Sequence, residues 1–150
     1  MKVVSNTSPL IGLSNIDRLE LLKDVFGEIF IPPAVAKEFG EPLPDWIHLK
    51  EPKDRPLVKT LMKLLGAGEA EAIALAIEMR ADFLILDDLK ARKISRDIGI
   101  RIIGTGGVIL LAKKRKAIGS VKPLLEELSG KGFRLSDGVI RTILEAAGED

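Results

Sequence analysis

Short apolar runs alternate with longer amphipathic stretches along this 150-residue chain. Lys2 to Ser5, Glu28 to Ile31, Trp46 to Leu49, Phe83 to Leu86 and Ile100 to Ile103 have strand length and strand composition. Phe83-Leu84-Ile85-Leu86 is apolar without a break, as a strand covered on both faces must be, and Ile100 to Ile103 reads the same way. Trp46 to Leu49 mixes in His48 and reads as an edge strand. Helical spacing fills the intervals. Ser8 is a natural N-cap with Pro9 at the first helical position, and Leu10, Ile11, Leu13 and Ile16 make one apolar face. Further helices are expected over Arg18 to Val25, Pro33 to Phe39 with Gly40 as its stop, Pro56 to Leu65, Gly66 onward and Leu89 onward. After a tight turn at Gly104-Thr105-Gly106-Gly107, three more are expected: Val108 to Lys116, Val121 to Leu128 and Ser136 to Ala147. Strands alternating with helices predict one α/β domain over residues 1–150: a three-layer α/β/α arrangement around a parallel sheet of four to five strands.

Open parallel sheets bind ligands at the carboxyl ends of their strands. There the chain places Asn6, after the first strand, and Asp87 and Asp88, after the uninterrupted one. Glu38 lies on a helix beside an apolar stripe. Of Glu69 and Glu71, about 200° apart on a helical wheel, only one can face such a site. Glu71 shares its bearing with Glu78 and reads as solvent-facing, whereas Glu69 stacks with Ile73 and Ala76 and is the expected site residue. Several carboxylates in one cleft repel one another unless a cation neutralises them. Oxygen donors without cysteine or a nearby histidine suit Mg2+ or Mn2+ rather than zinc. Such ions can bind a phosphodiester and activate a water, which is nuclease chemistry.

Composition narrows the field. Apolar residues make up 46% and charged residues 30%, an ordinary globular balance. The net charge of +1 rules out a global basic field, so any nucleic-acid contact is local. Lys90, Arg92, Lys93 and Arg96 sit on the helix that starts at Asp88 and are the candidates for a phosphate-backbone patch, with Lys90, Arg92 and Lys93 foremost. With no cysteine, disulfides and thiol chemistry are excluded. No apolar run approaches the roughly 18 residues of a spanning helix, and no signal-peptide pattern opens the chain, so a cytoplasmic protein without membrane contact is expected. Abundant Lys, Arg, Glu and Ile with one His also suit a thermophile.

Four segments in order resemble the PIN domain family, whose largest group is the VapC-like toxin ribonucleases. They are Val3-Val4-Ser5-Asn6-Thr7-Ser8-Pro9, Ala34-Val35-Ala36-Lys37-Glu38-Phe39, Glu69-Ala70-Glu71-Ala72-Ile73-Ala74 and Leu84-Ile85-Leu86-Asp87-Asp88. Gly132-Phe133-Arg134-Leu135-Ser136 looks like an uncharacterised prokaryotic subgroup of the same family. The resemblance implies a Mg2+- or Mn2+-dependent ribonuclease. Asn6, Glu38, Glu69 and Asp88 would form its catalytic set, and the same residues with Asp87 would hold metal. Thr7, Ser8 and Thr105 would position water or phosphate. It further implies RNA as substrate, a small antitoxin protein as partner and a homodimer or higher homo-oligomer, with the helices at 108–116 and 136–147 as interface or core. In one place the chain departs from the family pattern: Asn6 stands where an Asp is usual, and its amide brings no charge.

That departure favours an alternative, a PIN-fold module that binds RNA or a protein after its catalytic site has decayed. Two other readings fail on the residues. No G-x-x-x-x-G-K-[ST] accompanies the strand ending in Asp88, so a P-loop ATPase is excluded. Gly104-Thr105-Gly106-Gly107 resembles a dinucleotide loop, but Ile109 occupies the third glycine's place. A phosphate-handling receiver-like domain would carry its acid pair after the first strand, where Ser5-Asn6 stands.

Overall fold

The structure, a computed structural model, describes residues 1–150. Five strands form one parallel sheet: β1 (Val3–Ser5), β2 (Ile29–Ile31), β3 (Ile47–Leu49), β4 (Phe83–Ile85) and β5 (Ile102–Ile103). Their order is β3-β2-β1-β4-β5. The chain therefore builds outward from β1 in one direction, then returns to add β4 and β5 on the other side. The reversal falls between β1 and β4, and in an open α/β sheet a ligand crevice opens at such a switch point. The register of Ser5 against Ile85 sets Asn6 beside the end of β4, and the Asn6 N–H donates to the Ile85 carbonyl at 3.0 Å.

Nine helices surround the sheet: α1 (Thr7–Asn15), α2 (Leu21–Phe26), α3 (Pro33–Phe39), α4 (Arg55–Leu61), α5 (Ala67–Met79), α6 (Leu89–Ile98), α7 (Thr105–Lys114), α8 (Lys122–Gly130) and α9 (Asp137–Ala147). Helix α5 lies on β1 and β4 and packs against α3 and α4; α7 packs against α2 and α9. Val3, Val4, Leu84 and Ile85 are fully buried, as central strands covered on both faces require. No helix is long and apolar enough to cross a membrane.

Three local expectations change. Asn6, not Ser8, is the N-cap of α1, and its side chain makes no capping bond. The segment at Gly104 is no separate turn: Gly104 is the N-cap and Thr105 the first residue of α7. Gly106 there faces Ile143 of α9 so closely that a Cβ would collide with it. Finally, β5 is a two-residue, half-buried edge strand, because β4 is its only neighbour. His48, on the opposite edge strand, is exposed and stands 3.4 Å from Glu28.

Candidate active site

At the switch point a cleft of about 550 Å3 opens. Asn6, Thr7, Ser8, Glu38, Glu69, Asp87 and Asp88 all line it, so the expected acidic residues do meet in one place. Helix start signals bring most of them there. The chain leaves β1 and enters α1 at once, which puts Thr7 and Ser8 on the first turn. Asp88 caps α6, its Oδ2 accepting the Ala91 N–H at 2.9 Å. Glu69 is in the first turn of α5, its Oε1 accepting the Gly66 N–H at 3.4 Å.

The carboxylates are held from beneath. Glu38 accepts the Thr7 hydroxyl at 2.5 Å and the Gly68 N–H at 3.3 Å. Asp87 accepts the Thr105 N–H on Oδ1 at 2.8 Å, and on Oδ2 the hydroxyls of Thr105 at 2.7 Å and Ser8 at 3.2 Å. Partial burial pushes the Glu69 carboxyl above its ordinary range, and the charges of Asp88 and Glu38 push it the same way. Asn6 is 5% exposed, and its Oδ1 is buried with no hydrogen-bond partner.

Other candidates sit elsewhere. Glu71, expected in solvent, has a buried side chain: Oε1 accepts the Ala34 N–H at 2.9 Å and Oε2 pairs with Arg55 Nη1 at 3.1 Å. Glu78, its wheel neighbour, accepts the N–H groups of Lys53 and Asp54. Thr105 is fully buried and does not line the cleft; it reaches the site only through Asp87. Lys90 is exposed and close enough to pull on the Glu69 charge. Arg92 turns away, donating to the Leu86 carbonyl at 3.3 Å, and Lys93 lines no part of the cleft. Conversely, Phe133 and Arg134 close one side of the cleft, although the sequence assigned them no role. An arginine following the Gly130-Lys131-Gly132 break was the available signal.

The model of a PIN domain family matches residues 2–149. The chain belongs to the PIN domain family. No curated protein matches it.

PIN domains generally use divalent metals, and the donor set of this member can be tested against one. The cleft offers only oxygen donors, among them an unpartnered buried amide oxygen at Asn6 and the carboxylate of Glu69, whose proton affinity is raised by burial and by the charges of Asp88 and Glu38. That chemistry fits a hard divalent cation. As they stand, no three acidic side chains are gathered closely enough to ligate one ion. Glu38 and Glu69 both stand on the cleft wall.

Proposed function

We propose that this PIN domain is a Mg2+- or Mn2+-dependent ribonuclease that hydrolyses RNA phosphodiester bonds. The observation that carries the reading is that Glu38, Glu69 and Asp88 share one cleft with Asn6, whose buried Oδ1 has no partner, at the sheet's switch point. In this reading Glu38, Glu69 and Asp88 hold the ion, with Asn6 Oδ1 as the neutral donor and Asp87 assisting. When bound, the ion would polarise the phosphoryl oxygens and lower the pKa of an attacking water. The protein's own groups do the rest. Thr7 fixes Glu38, and Ser8, anchored to Asp87, offers its hydroxyl oxygen to orient a water. Thr105 keeps the Asp87 carboxylate turned for that task. Lys90, beside Glu69, draws the RNA backbone toward the acids, with Arg92 and Lys93 behind it on α6.

By the same family likeness, the chain is proposed to act as a toxin with a small antitoxin partner and to assemble as a homodimer or higher homo-oligomer. Helices α7 and α9 pack on each other through Gly106 and Ile143, so part of their apolar surface is core.

The test is cleavage of labelled mixed-sequence RNA with Mn2+, with EDTA, and with Asp88→Asn. Asparagine is as good an N-cap as aspartate, so this variant keeps α6 and removes only charge. Cleavage that needs both metal and Asp88 supports the reading; cleavage that survives Asp88→Asn sinks it. One observation favours the second reading, a decayed binding module: Asn6 supplies no charge, and the oxygens of Glu38 and Asp87 are already bonded to protein donors. Calorimetry decides between them, because a decayed site takes up no Mn2+ at millimolar concentration.

A further inference from the structure

Behind the acidic cleft lies a second cavity of about 650 Å3, inside the range of small-ligand sites. The two share Asp87 and Arg134 as lining residues, so they adjoin at the carboxyl end of the sheet. Their chemistry is opposite. Arg92, Arg96 and Arg134 line the second cavity, and none of them takes part in an ion pair. Its one carboxylate, Asp87, is spent on Thr105 and Ser8 and offsets only Arg92, which lies over Gly104 beside it. Arg96 and Arg134 are exposed, and neither forms a salt bridge. Apolar surface completes the wall: Leu89 is 82% exposed and Val139 is 45% exposed. Unpaired arginines beside bare apolar side chains suit a group with a phosphate at one end and a flat ring at the other.

We propose that this cavity is the subsite for the nucleotide adjoining the cut, with Arg96 and Arg134 on its phosphate and Leu89 and Val139 against its base. The proposal rests on the ribonuclease reading for its substrate. It adds a basic, half-apolar extension to a cleft that is otherwise repellent to polyanions. It also places the RNA path along α6 toward Arg134.

The probe is a short fluorescent single-stranded RNA, followed by anisotropy in EDTA, where nothing is cut. Arg96→Glu should weaken binding about tenfold and lower the slope of log affinity against log salt by about 0.7 for each phosphate the variant no longer neutralises. Lys59→Glu, an equal charge change on α4, should leave affinity within about twofold if the effect is local rather than a general field. Val139→Asp tests the apolar wall, and loss of binding is expected there too. Equal weakening by Arg96→Glu and Lys59→Glu, or no change with Arg96→Glu, overturns the subsite. So does Arg96-dependent binding of adenosine monophosphate by a protein that does not bind the RNA. Arg96-dependent RNA binding in a protein that never cleaves with Mn2+ would sink the nuclease reading and with it the place of this nucleotide beside a cut, and would leave the cavity as an RNA-binding site only.

Discussion

Thr105 holds Asp87 by both carboxylate oxygens, through its N–H at 2.8 Å and its hydroxyl at 2.7 Å. This ties the end of β4 to the first residue of α7, and Ser8 of α1 joins at 3.2 Å. Because Thr105 is fully buried, no water can replace its hydroxyl without opening the core. Thr105→Val keeps the volume and deletes one bond to a charged group, which should cost about 1.5–3 kcal/mol. Urea denaturation should show a lower midpoint with an unchanged slope. An unchanged midpoint would mean that Thr105 does not hold Asp87 in solution.

Gly68 leaves room for Glu38. A Cβ at Gly68 would collide with the Glu38 carboxylate, which is the mobile end of an exposed side chain. Gly68→Ala should therefore move the carboxylate rather than the fold, and alanine is at ease in a helix. The expectation is a melting temperature close to wild type, with Mn2+ affinity reduced about 10–100-fold, as when a ligand loses its orientation. Calorimetric titration checks it; unchanged affinity would remove Glu38 from the metal set.

Glu69 gives the site a pH signature. Its carboxyl is raised, so in the folded protein it keeps its proton to higher pH than in the unfolded chain. Between those two values the native state binds more protons, and stability falls as pH rises. Above both values the two forms are ionised and the penalty is complete. Glu69→Gln removes it. After solvent screening the gain is about 0.5 kcal/mol, or roughly 1–2 °C in melting temperature at this chain length. The gain belongs to neutral pH in EDTA and vanishes below the ordinary glutamate range. With Mn2+ present the order should reverse, since only the wild type retains the ligand. Thermal melts at two pH values, with and without metal, read both effects.

Glu71 is the contrasting case. It satisfies the Ala34 N–H at the start of α3 and pairs with Arg55 of α4, with only 11% of its side chain exposed. Glu71→Ala leaves both partners short and should destabilise the protein by about 1–3 kcal/mol. Metal affinity of the folded fraction should stay as it was. A loss of Mn2+ binding without a loss of stability would exchange the roles given to Glu69 and Glu71.

The alternation of short apolar runs with helical spacing was enough to determine a parallel α/β sheet. Strands buried on both faces must be apolar throughout, and Phe83 to Leu86 is. Start and stop residues such as Pro33 and Gly40 bound their helix, because capping is local chemistry. Asn6 and Asp88 were legible as strand-end residues for the same reason. Glu71 was not legible. A helical wheel gives a side chain's bearing on its own helix, but not what the chain brings to that bearing. Ala34 and Arg55, 37 and 16 residues away, turn a solvent-facing position into a buried junction. The same holds for Asp87, which the sequence pairs with Asp88 but the fold turns toward Thr105, 18 residues on. Arg134 shares a wall with Asp87 only because α9 packs on α7 and carries the preceding segment to the sheet's carboxyl edge. Local pattern determined the elements and the order of the acids; long-range packing decided which acids share a cleft and which cations stand behind it.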